Sequence, residues 1–208
     1  MITGNKTYRQ RQKENTKELI LNTAYKLFAQ RGYANTTMRL LAKEAGVGLG
    51  TIFKHFPDKP SLLVEAYQGD LGTIIIEAFK TIPESGIRNQ LLHITRQIYK
   101  YYANNYEFSK TLIKESLFLE GKHGKILDEQ LRSFLNSISE LISAAVKRCE
   151  LPQDTDVIGS TQAYGSFYFS VLVMALKKQK FDVEGEIELM ERLLGMLSRL
   201  TLEVIQLL

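Results

Sequence analysis

The side chains able to do chemistry are few and scattered: three histidines, His55, His93 and His123, and one cysteine, Cys149. No nucleophile stands beside a base, no Cys/His/Asp/Glu group has metal-ligand spacing, and no glycine-rich loop is of the phosphate-cradling kind. Catalysis is not expected and no cofactor is implied. His93 and His123 are isolated and are not read as metal ligands. A lone cysteine permits no intrachain disulfide, which fits a reducing cytoplasm, and on a helical pattern it reads as packing. What the sequence does concentrate is positive charge. Residues 1–60 hold eleven Lys/Arg against four Asp/Glu, a net of +7, while the rest of the chain carries a net of −3. A basic first third on a mildly acidic body points to polyanion binding.

Charges that recognise a polyanion need a scaffold. A disordered basic tail accounts for Lys6, Arg9, Arg11 and Lys13, but not for Arg39, Lys43, Lys54 and Lys59, which lie inside patterned sequence. Leu19, Ile20, Ala24, Leu27 and Phe28 recur on one helical face and predict a first helix from about Asn15 to Gln30, ended by Gly32. Thr37 suits the N-cap of a second, short helix over Met38–Glu44. Gly46 supplies a left-handed turn, and a third helix spans roughly Leu49 to Phe56. Pro57–Ser61 breaks it and opens a fourth.

These pieces have the logic of a helix-turn-helix. Ala42 is small where two helices cross, Val47 plugs the turn from beneath, and Ile52 and Phe56, four apart, anchor the third helix to the second. The other face of that helix carries Leu49, Gly50, Phe53 and Lys54, free to enter a major groove. Thr37 and Thr51 can offer hydroxyls to phosphates. Arg39, near the start of the second helix, can reach either the backbone or a guanine edge. Each residue also has a plainer reading: Phe53 as packing, His55 as a ring stacked on its own unit, Arg39 and Lys43 as a solvated face, Lys59 as an ordinary surface lysine.

Through Gly32-Tyr33, Thr36-Thr37, Leu41-Ala42, Ala45-Gly46-Val47, Gly50-Thr51-Ile52-Phe53, His55-Phe56, Asp58-Lys59 and Leu62-Leu63, the chain resembles the tetracycline-repressor (TetR) family over about residues 15–65. The resemblance implies that the third helix reads DNA bases and that Lys59 opens the fourth helix against a phosphate. A lysine at the positive end of a helix dipole favours an anion there. With Gly48 as N-cap and His55 near its end, the expected DNA-facing set is Thr37, Arg39, Gly48, Leu49, Gly50, Thr51, Phe53, Lys54, His55 and Lys59. Three positions depart from the family pattern: Gly48 stands where Ser is common, Phe53 where Tyr is common, and Pro60 where Glu is frequent. The Phe53 change removes one hydroxyl contact to DNA.

Beyond residue 60 the pattern stays helical, with helices expected near Gly86–Asn104, Phe108–Leu119, Lys125–Cys149, Asp154–Gln179 and Val183–Leu207. The fold class is therefore all-α: a three-helix DNA-binding unit over 1–60, then a helical effector-binding and dimerisation domain over 61–208. The uncharged segment Val157–Leu176 is about as long as a bilayer span, but its Gly, Ser and Thr content reads as a buried helix, so no membrane partner is expected. The last helix has two apolar stripes, Ile187/Met190/Leu194/Leu197 and Leu189/Leu193/Met196/Leu200. One faces its own body and the other a second subunit; the resemblance implies a homodimer through the last two helices. The body is rich in aromatics, from which Tyr102, Phe108, Leu112, Phe134, Tyr164 and Tyr168 are expected to wall an effector cavity. The expected function is a cytoplasmic transcriptional regulator, a repressor released from double-stranded operator DNA by a small, mainly apolar effector. The alternative is an architectural DNA-binding protein with a filled core and no effector.

Overall fold

The computed structural model describes residues 7–206, with the side chains at 67–70 and 197–206 outside the described set. Nine helices occupy the described residues: α1 Tyr8–Asn35, α2 Met38–Glu44, α3 Leu49–His55, α4 Lys59–Lys80, α5 Ile87–Asn104, α6 Tyr106–Ser116, α7 Gly121–Lys147, α8 Val157–Lys177 and α9 Val183–Gln206. The all-α reading holds.

The first helix starts well before the expected Asn15. Thr7 caps it, accepting from the Gln10 backbone N–H, while the Gln10 side chain accepts from the Thr7 N–H. That reciprocal box satisfies two end groups and lets polar sequence continue as helix. Gly32, at φ +75°, interrupts the regular helix where the sequence places its end, and a last turn runs on to Asn35.

Ile20, Ala24, Leu27 and Phe28 of α1, Leu41 and Ala42 of α2, and Ile52 and Phe56 of α3 form a shared buried cluster. Ile52 and Phe56 are fully buried. Burial of this kind contributes about 1.5–3 kcal/mol for each large apolar side chain. The α4 helix packs on α1 at one end and on α5 and α7 further along. Its Asp58 N-cap accepts from the Ser61 N–H at 2.7 Å, and Ser61 is itself buried.

In the body, α5 is held between α4, α7 and α9, and α8 packs on α7 and α9. Two buried tyrosines find partners: the hydroxyls of Tyr164 and Thr95 lie 2.9 Å apart, and Tyr99 donates to the Tyr168 carbonyl at 2.6 Å. Burial pushes both phenols above their ordinary range, so they act as neutral hydrogen-bonding groups. Ile187 and Met190 are buried against the body as the first stripe requires. Arg96 pairs with Glu184 at 3.1 Å, and Lys178 pairs with the buried Glu186. The first pair ties the start of α9 to α5 and the second ties it to the end of α8. Leu197 and Leu200 lie outside the described side chains.

Candidate nucleic-acid interface and body cleft

The groove-reading helix is built from the turn outward. Thr37 caps α2, its hydroxyl accepting from the Leu40 N–H at 3.1 Å. That leaves the hydroxyl proton free to donate outward. Gly46 sits at φ +66°, the left-handed conformation that a side chain resists, and turns the chain between α2 and α3. With Ile52 and Phe56 buried inward, the opposite face of α3 is outward by geometry: Phe53 is 48% exposed, and Gly50 and Lys54 are exposed. A Cβ at Gly50 would meet nothing within 4 Å, so backbone there is open to close approach. Thr37, Arg39 and Gly48 are also exposed, while Leu49, Thr51, His55 and Lys59 are half-buried. The reading of Phe53 as packing inside the three-helix unit does not survive.

Lys59 is not the free cation that the sequence suggests. Its Nζ donates to the Tyr33 carbonyl at 2.8 Å and sits 4.1 Å from the centre of the Tyr33 ring. Burial lowers its pKa, partly opposed by the nearby Glu115 carboxylate. The Tyr33 phenol is pushed up to about 12, by burial first and then by Glu115 and Asp58. Lys59 thus ties the end of α1 to the start of α4. His55 is held below its ordinary pKa by burial, then by the charges of Lys13, Lys54 and Lys17. Lys17 lies 5.9 Å from the centre of the Phe56 ring and pairs with Glu65.

Among the described residues, side-chain contacts join the unit to the body. Tyr25 of α1 donates to the Asn105 side chain at the α5–α6 junction, and its ring lies 4.3 Å from that of Phe108 on α6. His123 of α7 approaches Asp58 at 3.7 Å.

In the body, the described cleft has a volume of about 1060 Å³ and lies where the α5 N-terminus, the α7 C-terminus and the α8 N-terminus meet. Its apolar lining includes Ile87, Leu91, Ile142, Ala163, Tyr164 and Leu194. Arg88, Glu150, Asp154 and Asp156 contribute its charged groups. Glu150 is tied down: it accepts from the Ile87 N–H at 2.9 Å and from Arg148 Nε at 2.7 Å. Of the six expected wall residues, Tyr164 borders this cleft. Phe134, Tyr164 and Tyr168 form one ring cluster with centres 5.7–6.5 Å apart. Phe108 and Leu112 are buried on α6, Phe108 turned to α1, and Tyr102 is buried with its ring 5.8 Å from that of Tyr101. Two breaks of the sequence pattern meet at this cleft: Gly86, from the break at Pro83–Gly86, and Leu151 and Pro152 all line it.

Among the described residues, no helix is long and apolar enough to cross a membrane. The family model of bacterial regulatory proteins, tetR family, matches residues 20–66. An HTH-type transcriptional regulator of Staphylococcus aureus (strain MRSA252) is 42% identical over 179 residues, which cover 84% of this chain and 84% of that protein. In another S. aureus regulator (strain bovine RF122 / ET3-1) the match is 41% over 68 residues, and this chain spans only 36% of that protein's length. The transcriptional regulator FadR from Bacillus subtilis, solved in complex with stearoyl-CoA, superposes with a TM-score of 0.72 at 20% identity, covering 85% of this chain and 96% of that one. A regulator from Saccharomonospora viridis, solved in complex with choline, gives 0.70 at 19% identity over 88% and 96%. An exposed α3 on a turn set by Gly46, a matching family model and a relative similar over most of both lengths agree: the chain belongs to the TetR family of DNA-binding, helix-turn-helix transcriptional regulators.

Proposed function

We propose that this protein is a homodimeric repressor whose α3 helices enter successive major grooves of an operator, and which is released when an amphipathic acyl effector occupies the body. The observation that carries the reading is the outward face of α3, with Gly50 open, Phe53 half exposed and Lys54 beside it. Thr37, Arg39, Gly48, Leu49, Thr51, His55 and Lys59 surround that face as phosphate or base contacts. Lys59 reaches a phosphate only by leaving Tyr33, so its contact belongs to the bound state.

The dimer is assigned to α8 and α9. Ile158 and Phe169, on one face of α8, and Met196 on α9 are exposed at 39–76%, apolar side chains that a second copy would cover.

The effector assignment rests on the cleft and on the fold's likeness to a regulator that binds stearoyl-CoA. A volume of about 1060 Å³ with an aliphatic part formed by Ile87, Leu91, Ile142, Leu151 and Leu194 suits a long acyl chain. The route to DNA runs through α5 and α6 to the Tyr25–Asn105 and Tyr25–Phe108 contacts with α1. A ligand that favours one arrangement of α6 shifts the spacing of the two α3 helices by its difference in affinity for the two states. A second reading has one specific observation in its favour. Carboxylates outnumber Arg88 in the cleft, which favours a cationic head group, as in the likeness to the choline-bound regulator. The test is a thermal-shift titration followed by operator release, with stearoyl-CoA in one arm and choline and a long-chain quaternary ammonium in the other. Release by stearoyl-CoA alone supports the acyl reading, and release by the cations alone replaces it. No release by either favours the effector-independent DNA-binding protein.

A further inference from the structure

The helix that starts at Tyr8 is longer than the unit it serves. Its buried side chains begin at Ile20 and continue through Ala24 and Leu27. Continued toward the N-terminus at the same three- and four-residue steps, that face carries Lys17, Lys13 and Arg9. Core-facing positions thus become basic where the helix projects past the three-helix core. Of the acids of this stretch, Glu18 falls on the opposite side of the helix and Glu14 on its flank. Arg9 and Lys13 are exposed, and among the described residues no carboxylate bridges to either.

The projection is ordered and is placed beside the groove-reading helix. The Thr7–Gln10 capping box fixes its start. Lys17 is anchored by Glu65 and lies over Phe56, the residue that ends α3. Lys13 is close enough to His55 to act on its ring, together with Lys54 and Lys17. Two helices therefore bring their cations to one place, the C-terminal end of α3. A face that would waste apolar burial in solvent carries charge directed to the same side as α3.

We propose that the first two turns of α1 form a second DNA-contacting element, in which Arg9 and Lys13 lie against the phosphate backbone flanking the groove that α3 enters. This rests on the assignment of α3 to the groove. Arg9 and Lys13 are one turn apart, about 6 Å along the helix axis, a separation that lets each meet a phosphate of its own. The contacts carry no base preference and widen the footprint of each half-site.

The test uses the full chain and two duplexes, a selected operator and a random sequence, with affinity measured between about 50 and 200 mM salt. Two phosphate contacts per chain correspond to about 1.8 units of slope in log K against log salt. The double variant Arg9→Gln/Lys13→Gln is expected to flatten the slope by about that amount per chain, about 3.6 units for a dimer on its operator. Across that fourfold change in salt it then loses about tenfold less affinity per chain than the parent. The loss at low salt is expected to be alike on both duplexes, with the melting temperature unchanged. The exchange Arg9→Lys/Lys13→Arg keeps the charges and is expected to keep the slope. An unchanged slope in the Gln variant, while Lys54→Gln still weakens binding, overturns the second element and leaves the α3 assignment standing. A parent chain with no salt-dependent DNA affinity overturns both. A loss confined to the operator also overturns the proposal, because it would make these side chains base readers.

Discussion

Replacing Phe53 by Tyr adds one hydroxyl to a ring on the outer face of α3. The ring is 48% exposed, whereas Ile52 and Phe56 on the inner face of the same segment are fully buried. The hydroxyl therefore enters no closed core, and the desolvation cost of about 1–3 kcal/mol that a buried, unpaired hydroxyl incurs does not apply. Folding stability is expected to change by less than about 0.5 kcal/mol, the range of ordinary surface substitutions. On DNA, the phenol can donate to a phosphate that Phe53 cannot bond. One such bond contributes about 0.5–1.5 kcal/mol, roughly a two- to twelvefold gain in affinity per half-site. The gain is expected on operator and random duplex alike, because a phosphate contact carries no sequence information. The assay is a thermal melt paired with fluorescence anisotropy on both duplexes. Lower melting with no gain in affinity would refute the reasoning, by showing that the ring is enclosed in the folded protein and absent from the DNA face.

Four further outcomes follow from the geometry. Burial and the charges of Lys13, Lys54 and Lys17 hold His55 below its ordinary pKa, so the folded state favours the neutral ring; the stability this gives is present above pH 6.5 and is lost as pH falls through the depressed value. Phosphates oppose that depression, so DNA binding is expected to take up a proton and to tighten as pH falls from about 7 toward 5.5, a dependence that His55→Gln should remove in anisotropy titrations. Cys149 holds φ +58° as the left-handed residue after α7, with Glu150 N–H bonded to the Ala145 carbonyl at 3.0 Å, so Cys149→Gly is expected to raise stability by about 1 kcal/mol and the melting temperature by about 2–4 °C. A Cβ at Gly124 would overlap the Leu119 carbonyl oxygen and lie 2.8 Å from its carbon, a backbone clash that no rotamer relieves; Gly124→Ala is expected to cost about 1–3 kcal/mol in chemical denaturation. Leu193→Glu with Met196→Glu places charge at a half-buried position that packs against the body and at an exposed one on α9, and is expected to give monomers or insoluble protein, against which a soluble dimer in sedimentation would count.

The α2–turn–α3 unit was legible to within a residue because its signals are local and strong. Thr37 caps, Gly46 takes the one conformation glycine is suited to, and Ile52 and Phe56 alternate with an outward polar face. The start of α1 was not, because its signal is a polar box, Thr7 to Gln10, with no apolar face behind it. The inward turn of Lys59 was also hidden: a lysine at the first position of a helix looks the same in sequence whether it meets solvent, a phosphate or the Tyr33 carbonyl 26 residues away. The wall of the cleft was the least legible. Aromatic content locates a core, and Phe134, Tyr164 and Tyr168 do pack as one, but which helix ends leave space depends on how α5, α7 and α8 meet, and that is tertiary information.

In the proposed complex, α3 of each subunit reads a groove while basic side chains around it neutralise phosphates. This arrangement is tested most directly by selecting bound duplexes from a random pool with the full chain, then measuring affinity for the selected sequence and for random DNA over about 50–200 mM salt. An inverted repeat whose half-sites are separated by whole helical turns, about 34–36 Å each, is expected to be enriched, with affinity for both DNAs falling linearly in log salt and the repeat bound the tighter of the two. A pool that yields no enriched sequence, together with an affinity that does not respond to salt, would contradict it.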